Sequence, residues 1–497
     1  MCFTNRSENF TTSRVCGRTP PGFHLKPKTA IIRSAIRNLA FYVFFASSVI
    51  LGISPAAKAL SIEDEKLLGK EFIVRITGSF QFLENDTALH YLRELGDYLA
   101  TAVENKPFDL NFYILQNSDL NAFAAPGGHI FLHTGLILSL ETADELAAVL
   151  THEIAHVTAR HLSQRIAQQQ KLTLATATGL IAGILLGGEA AEALITGSVA
   201  ASAQAQLHYS RNDERQADQM GFDYMEKIGF HPEAMLGVLD KITRSRWESG
   251  SQKAPTYLRT HPGGPERMSN LDVLMTRRSE PVTSAQAEKF RKFFPAFQTT
   301  VAAASLPPST AEKTFRDRLS RAEGSEEKCL AHLGLGMALN SRAKYNEATA
   351  HLESALSIDP QMLPALLELG NTYRMAGHPR KAVSIMEQAM KKDGSNRAAL
   401  YLAGLSYLEM EEYTQAIRYF ERLASIEAQK HDVFYQLGIA YGRLNQLARA
   451  HYNFGKYFAA LFQIQEAVFH FKKAEEFAEG NPLLLERIRR EMHTQGL

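Results

Sequence analysis

Cysteine is nearly absent from this chain of 497 residues: there are three, and Cys2 and Cys16 lie in the first sixteen positions, so only Cys329 sits in the body of the protein. A mature fold with one cysteine has no internal disulfide, which export to an oxidising compartment permits but does not require. Charge of one sign is missing as well. The total is +1, and residues 1 to 59 hold eight Lys or Arg against Glu8 alone, a balance of +7 that leaves the remainder at −6. A mildly acidic body has no electrostatic footprint for nucleic acid. No apolar run is long enough for an ordinary membrane span. The candidate from Leu39 to Ile53 is short, follows Lys26, Lys28, Arg33 and Arg37, and ends in Ser54-Pro55-Ala56-Ala57-Lys58-Ala59. It is expected to be a secretion signal cleaved after Ala59, an uncleaved anchor being the alternative, and the absence of a following cysteine argues against a lipoprotein anchor.

The chain does have His152-Glu153-Ile154-Ala155-His156. The apolar spacing of Leu146, Val149 and Leu150 predicts a helix running into it, and residues four apart lie on one face. His152 and His156 are therefore expected to bind one Zn²⁺ per chain while Glu153 reaches the water beside it. His161 is not expected as a third ligand. Ala159 stands where the three-histidine pattern needs glycine, and a continuous helix would turn His161 away, to the surface or a second layer. The better third ligand lies in Asn212-Asp213-Glu214-Arg215-Gln216-Ala217-Asp218. On a helix Glu214 and Asp218 share a face, so Glu214 is expected to ligate while Asp218 holds the distal nitrogen of a ligand histidine.

These two motifs, with Asn121 to Phe131 before them, resemble the gluzincin family of CAAX prenyl and heat-shock zinc proteases. The resemblance implies an α+β zinc metalloendopeptidase domain, mostly helical with a small sheet. It implies that His261, in the Pro/Gly-rich stretch Thr260 to Arg267, is a fourth ligand that closes the site at rest. From the residues alone, His261 could equally cap the next helix and never meet the metal. The resemblance further implies a periplasmic enzyme whose clients are unfolded or misassembled outer-membrane proteins or their assembly machinery.

Behind residues 60 to 278 lies a Pro-bearing stretch, 279 to 325, expected to be a linker with partial helix. From 326 to 487 the signal is a repeat. Gly336, Gly370, Gly404 and Gly438 are thirty-four residues apart, as are Ala348, Ala382, Ala416 and Ala450. That is the tetratricopeptide period, and it predicts an all-α solenoid of four hairpins and a closing cap that binds clients, with 488 to 497 as a tail. Leu172 to Gly188 is apolar and small, followed at once by Glu189 and Glu192, and is expected to be a buried or membrane-grazing hairpin, giving at most peripheral membrane contact. His129 to His133 reads as a strand after the Ala125-Pro126-Gly127-Gly128 turn. If it formed a sheet edge beside the metal, an extended peptide could pair with it; in the sheet interior it would be an ordinary strand. Two other readings stay open: a chaperone or scaffold with an idle or structural zinc, and an integral-membrane zinc protease.

Overall fold

The computed structural model describes residues 60–78, 80–168, 209–248, 256–277, 284–426, 431–461 and 463–495, with the single positions 282 and 497. The expected signal, residues 1 to 59, and the apolar segment 172 to 188 lie outside the described residues. Among the described residues no helix is long and apolar enough to cross a membrane.

The first unit opens with α1 (Ile62–Thr77), started by a capping box in which Ser61 and Asp64 satisfy each other's backbone N–H. Next come α2 (Asp86–Leu99), β1 (Asn111–Leu115), β2 (Ala122–Ala125) and β3 (His129–His133), then α3 (Thr134–Ser139) and α4 (Ala143–Thr158). The strand order is β1-β3-β2, with β3 parallel to β1 and antiparallel to β2. This corrects the idea of 129–133 as an edge. The Pro126-Gly127-Gly128 turn, with both glycines left-handed, folds β3 back beside β2, while the parallel pairing with β1 covers its other side. A side chain at Gly128 would meet the Asp109 carbonyl oxygen at 2.3 Å, so only glycine fits there. β1's outer side carries a bridge between Phe82 and Leu115, and β2, the strand at the other side of the sheet, is buried along its whole length.

After α4 come α5 (His161–Gln168), α6 (Arg211–Ile228), α7 (Ala234–Glu248), α8 (Thr256–Thr260) and α9 (Gly264–Met275). The helix through His152 does not continue to His161 as the pattern suggested. It stops at Thr158, and Arg160 takes a left-handed conformation (φ 55°) that starts α5 in a new direction. Two contacts hold that bend: Arg160 Nε donates to Glu65 Oε2 at 2.8 Å, and its NH2 to the Leu60 carbonyl at 2.6 Å.

The stretch expected as a linker is instead two helices, α10 (Ala285–Ser305) and α11 (Pro308–Arg321). Along α10, Phe290, Phe294 and Phe297 join the core of the first unit, whereas Ala296, Ala302 and Ala303 join that of the repeats. Residues of both sets alternate along the helix, so it packs into both cores at once and acts as a strut. Its apolar periodicity was masked by Pro295 and by the surrounding Ser, Thr and Pro.

Five hairpins follow: α12 (Ser325–Ser341) with α13 (Tyr345–Ile358), α14 (Leu363–Met375) with α15 (Pro379–Lys392), α16 (Arg397–Glu409) with α17 (Tyr413–Ile426), α18 (His431–Arg443) with α19 (Leu447–Ala460), and α20 (Ile464–Phe477) with α21 (Pro482–Gln495). The glycines of the repeat do what the spacing required, since each faces a large side chain on the partner helix. The expected tail is helix to Gln495, with Ile488 fully buried. The first unit docks on the repeats through the polar side of α2. Arg397 reaches Glu94 and Asp97, His90 meets Asp393, and Asn85 and Thr87 both donate to the buried carboxylate of Glu368.

The glycine positions support a graded prediction. A Cβ at Gly404 would lie 2.5 Å from the rigid ring of Phe420, but one at Gly370 would meet the flexible end of Met386. Gly404→Leu is therefore expected to destabilise the solenoid by about 1–3 kcal/mol or more through overpacking, and Gly370→Leu by less. Urea titration of the full chain reads this directly; equal midpoints for the two variants would show that the ring sets no limit.

Candidate metal centre

α4 is buried along almost its whole length, which places His152, Glu153 and His156 inside the molecule. α6 lies across it. A side chain at Gly221 would come within 3.3 Å of the His152 backbone nitrogen, so this glycine allows the two helices to approach. Ser210 caps α6 in a box with Asp213, and the turn that follows carries Glu214 and Asp218 onto the face toward α4. His261 arrives from the bend between α8 and α9. Its ring stacks on Tyr257, with centroids 4.4 Å apart and planes 20° apart, and it is wholly buried.

Four donors converge there. His152 Nε2 lies 3.1 Å from His156 Nε2, 3.4 Å from Glu214 Oε2 and 3.3 Å from His261 Nδ1. Glu214 Oε1 lies 3.4 Å from His156 Nε2 and 3.1 Å from His261 Nδ1. The four residues' ligating atoms all fall within 4.8 Å of one another. A tetrahedral ion bound at about 2.0–2.1 Å to nitrogen and oxygen sets its ligand atoms roughly 3.3–3.4 Å apart, so the cluster has the size of a zinc shell. Hydrogen bonding cannot account for it. A ring nitrogen supports one proton or one lone pair in its plane, while His152 Nε2 has three neighbours and Nδ1 of the same ring is already 3.0 Å from Asp218 Oδ1. The donor set fits a cation at its centre.

The surrounding charges are arranged around Arg267, a residue the motifs did not single out. Its guanidinium donates to Asp218 through Nε at 2.8 Å and NH2 at 2.6 Å, and NH1 lies 2.8 Å from Glu214 Oε2. Burial would raise Asp218, but the Arg267 charge and hydrogen bonds from His152 and Arg267 hold it at about 2. Burial also opposes ionisation of Glu214, yet His261 and Arg267 outweigh it and keep that carboxyl well below its usual range. For His152, burial and the Arg267 charge act downward, and bonds to Asp218 and Glu214 carry it up to about 9. Glu153 is different: burial pushes it up, and neither oxygen has a hydrogen-bond partner. His261 Nε2 lies 3.5 Å from its Oε1.

All six residues singled out from the sequence thus meet at one place: His152, Glu153, His156, Glu214, Asp218 and His261. His161 is there too, buried against His156, which excludes the surface position. No spacing could have revealed Arg267, because on α9 it reads as an ordinary exposed basic residue.

Residues 88–275 match the model of peptidase family M48. Residues 341–423 match that of the anaphase-promoting complex, cyclosome, subunit 3. The chain is 28% identical over 377 residues to the β-barrel assembly-enhancing protease of Yersinia pestis, covering 74% of this chain and 75% of that one. It is 25% identical over 380 residues to the protein of the same name from Escherichia coli (strain K12), covering 69% and 76%. The mitochondrial metalloendopeptidase OMA1 of Schizosaccharomyces pombe is 28% identical over 160 residues, 32% of this chain and 45% of that one. Residues 88–275 thus resemble a peptidase family M48 domain, and the chain is a zinc metalloendopeptidase carrying a tetratricopeptide-like solenoid behind its catalytic domain.

Proposed function

We propose that this is a latent periplasmic endopeptidase, holding one zinc per chain through His152, His156, Glu214 and His261, that removes unfolded or misassembled outer-membrane β-barrel proteins. The convergence of four buried donors at tetrahedral spacing carries the reading. The names of the relatives supply the client class, and the secretion signal expected over residues 1 to 59 supports export.

Zinc at this position would contribute Lewis acidity to a scissile carbonyl and to an attacking water. The rest is the work of the chain. Glu153, buried and unpaired, takes the proton of the water and passes it to the departing amine. Asp218 accepts from His152 Nδ1 and fixes that ring's tautomer, while Arg267 keeps both Asp218 and Glu214 ionised. The repeats would gather clients with the surface left free by α2.

A four-donor shell also suits a scaffold with structural zinc. Glu153 argues for the enzyme, because its carboxyl is wholly buried beside the four donors yet contributes none of their ligating atoms, and a structural site has no use for it.

His261 stands between the donors and Glu153, so its ring must swing away before substrate can enter. If the open state is a minor population of at most about 10%, His261→Ala should raise cleavage of an unstructured protein such as casein by about tenfold or more, with zinc content near one per chain. Equal or slower cleavage with zinc still bound would remove latency from this reading. Loss of zinc would show His261 to be essential for holding the metal.

A further inference from the structure

A histidine that gives one ring nitrogen to a metal carries its proton on the other. His156 faces the cluster with Nε2, so its Nδ1 is the N–H. The atom it meets is Nδ1 of His161, at 3.0 Å. That bond requires His161 Nδ1 to accept, which places the His161 proton on Nε2, and there Gln216 Oε1 lies 3.1 Å away. An amide oxygen accepts. Every link is satisfied without a charge, whereas His152 gives its proton to the carboxylate of Asp218. The backbone is bent to make this possible: the left-handed Arg160, tied to Glu65 and Leu60, breaks the helix and turns His161 back over His156.

We propose that His161 is the positioning residue of the second metal-binding histidine, a neutral imidazole that fixes the tautomer and ring orientation of His156, with Gln216 fixing its own. The two ligand histidines are thus held by unlike partners, one anionic and one neutral. The inference rests on the assignment of His152, His156 and Glu214 as zinc ligands.

Zinc dissociation constants measured on the full chain by chelator competition test it. His161→Phe keeps the bulk but removes the acceptor, and should weaken zinc about 10- to 100-fold. His161→Asn should stay within about threefold of the parent, since its Oδ1 hangs from Cγ as the imidazole Nδ1 does, and His161→Asp should bind at least as tightly. Gln216→Met should cost a smaller, severalfold loss, because it releases the His161 tautomer without touching a ligand. If the Phe variant does not fold, Ala takes its place and should lose what Asn keeps. Parent-like affinity in the Phe or Ala variant would overturn the proposal, as would an Asn variant as weak as they are. A parent protein that binds no zinc would instead overturn the ligand assignment beneath it.

Discussion

Replacing Glu153 with Gln is expected to lower peptide hydrolysis by about 10²- to 10⁴-fold while one zinc per chain stays bound. The reason is geometric. Glu153 contributes none of the four converging atoms, so an amide there leaves the metal shell intact, and the substitution is nearly isosteric in a fully buried position. What disappears is a base. The amide cannot take a proton from water, and nothing nearby replaces it: His261 is the neighbouring titratable group at 3.5 Å, and it faces the metal with its other nitrogen. Zinc content by elemental analysis and cleavage of a fluorogenic peptide decide the matter. A Gln variant that still cleaves at the parent rate would move the base elsewhere, and one that loses zinc would make Glu153 part of the shell. Because such a variant should hold clients without cutting them, cross-linking in living cells can also identify what it binds.

The residues that announced themselves in the sequence did so through periodicity. His152 and His156 sit four apart, Glu214 and Asp218 sit four apart, and the helical repeat turns both spacings into shared faces, so α4 and α6 needed no tertiary information. The thirty-four-residue spacing of Gly336, Gly370, Gly404 and Gly438 works in the same way, because each hairpin repeats one local packing problem. Other features depended on the fold around them. β3 lies in the middle of the sheet because β1 pairs with it in parallel, and nothing within His129 to His133 records that partner. The break at Arg160 is held by Glu65 and by the Leu60 carbonyl, some ninety-five residues or more away in the chain, and with it went the placement of His161. α10 was read as a connector because Pro281, Pro295, Pro307 and Pro308 dominate the segment, although Ala287, Phe290, Phe294, Phe297 and Val301 form one helical stripe in it. His261 became a ligand candidate through resemblance, and three-dimensional packing on Tyr257 is what brings it to the cluster.

Arg267 shows the same dependence most clearly, and its removal should have the second largest effect. Glu153, Glu214 and Asp218 place three carboxyl groups in a buried space where Arg267 is the fixed cation that contacts two of them. Arg267→Met fills much the same volume with an apolar chain and leaves Glu214 and Asp218 facing each other's charge without compensation. Breaking a buried pair in this way costs about 3–5 kcal/mol. The metal-free protein should feel it most, since there the ion is not present to offset the carboxylates. Arg267→Lys should fall between parent and Met: an ammonium keeps the charge but cannot make the paired contacts of a guanidinium to Asp218 together with the third to Glu214. Urea unfolding of the metal-free full chain measures these differences. A double variant separates charge from packing. If uncompensated charge is the cause, adding Asp218→Asn to Arg267→Met should recover part of the loss, because the amide needs no counter-ion and can still accept from His152 Nδ1. If the second substitution simply adds its own cost, Arg267 acts by filling space, and the electrostatic account of this site fails.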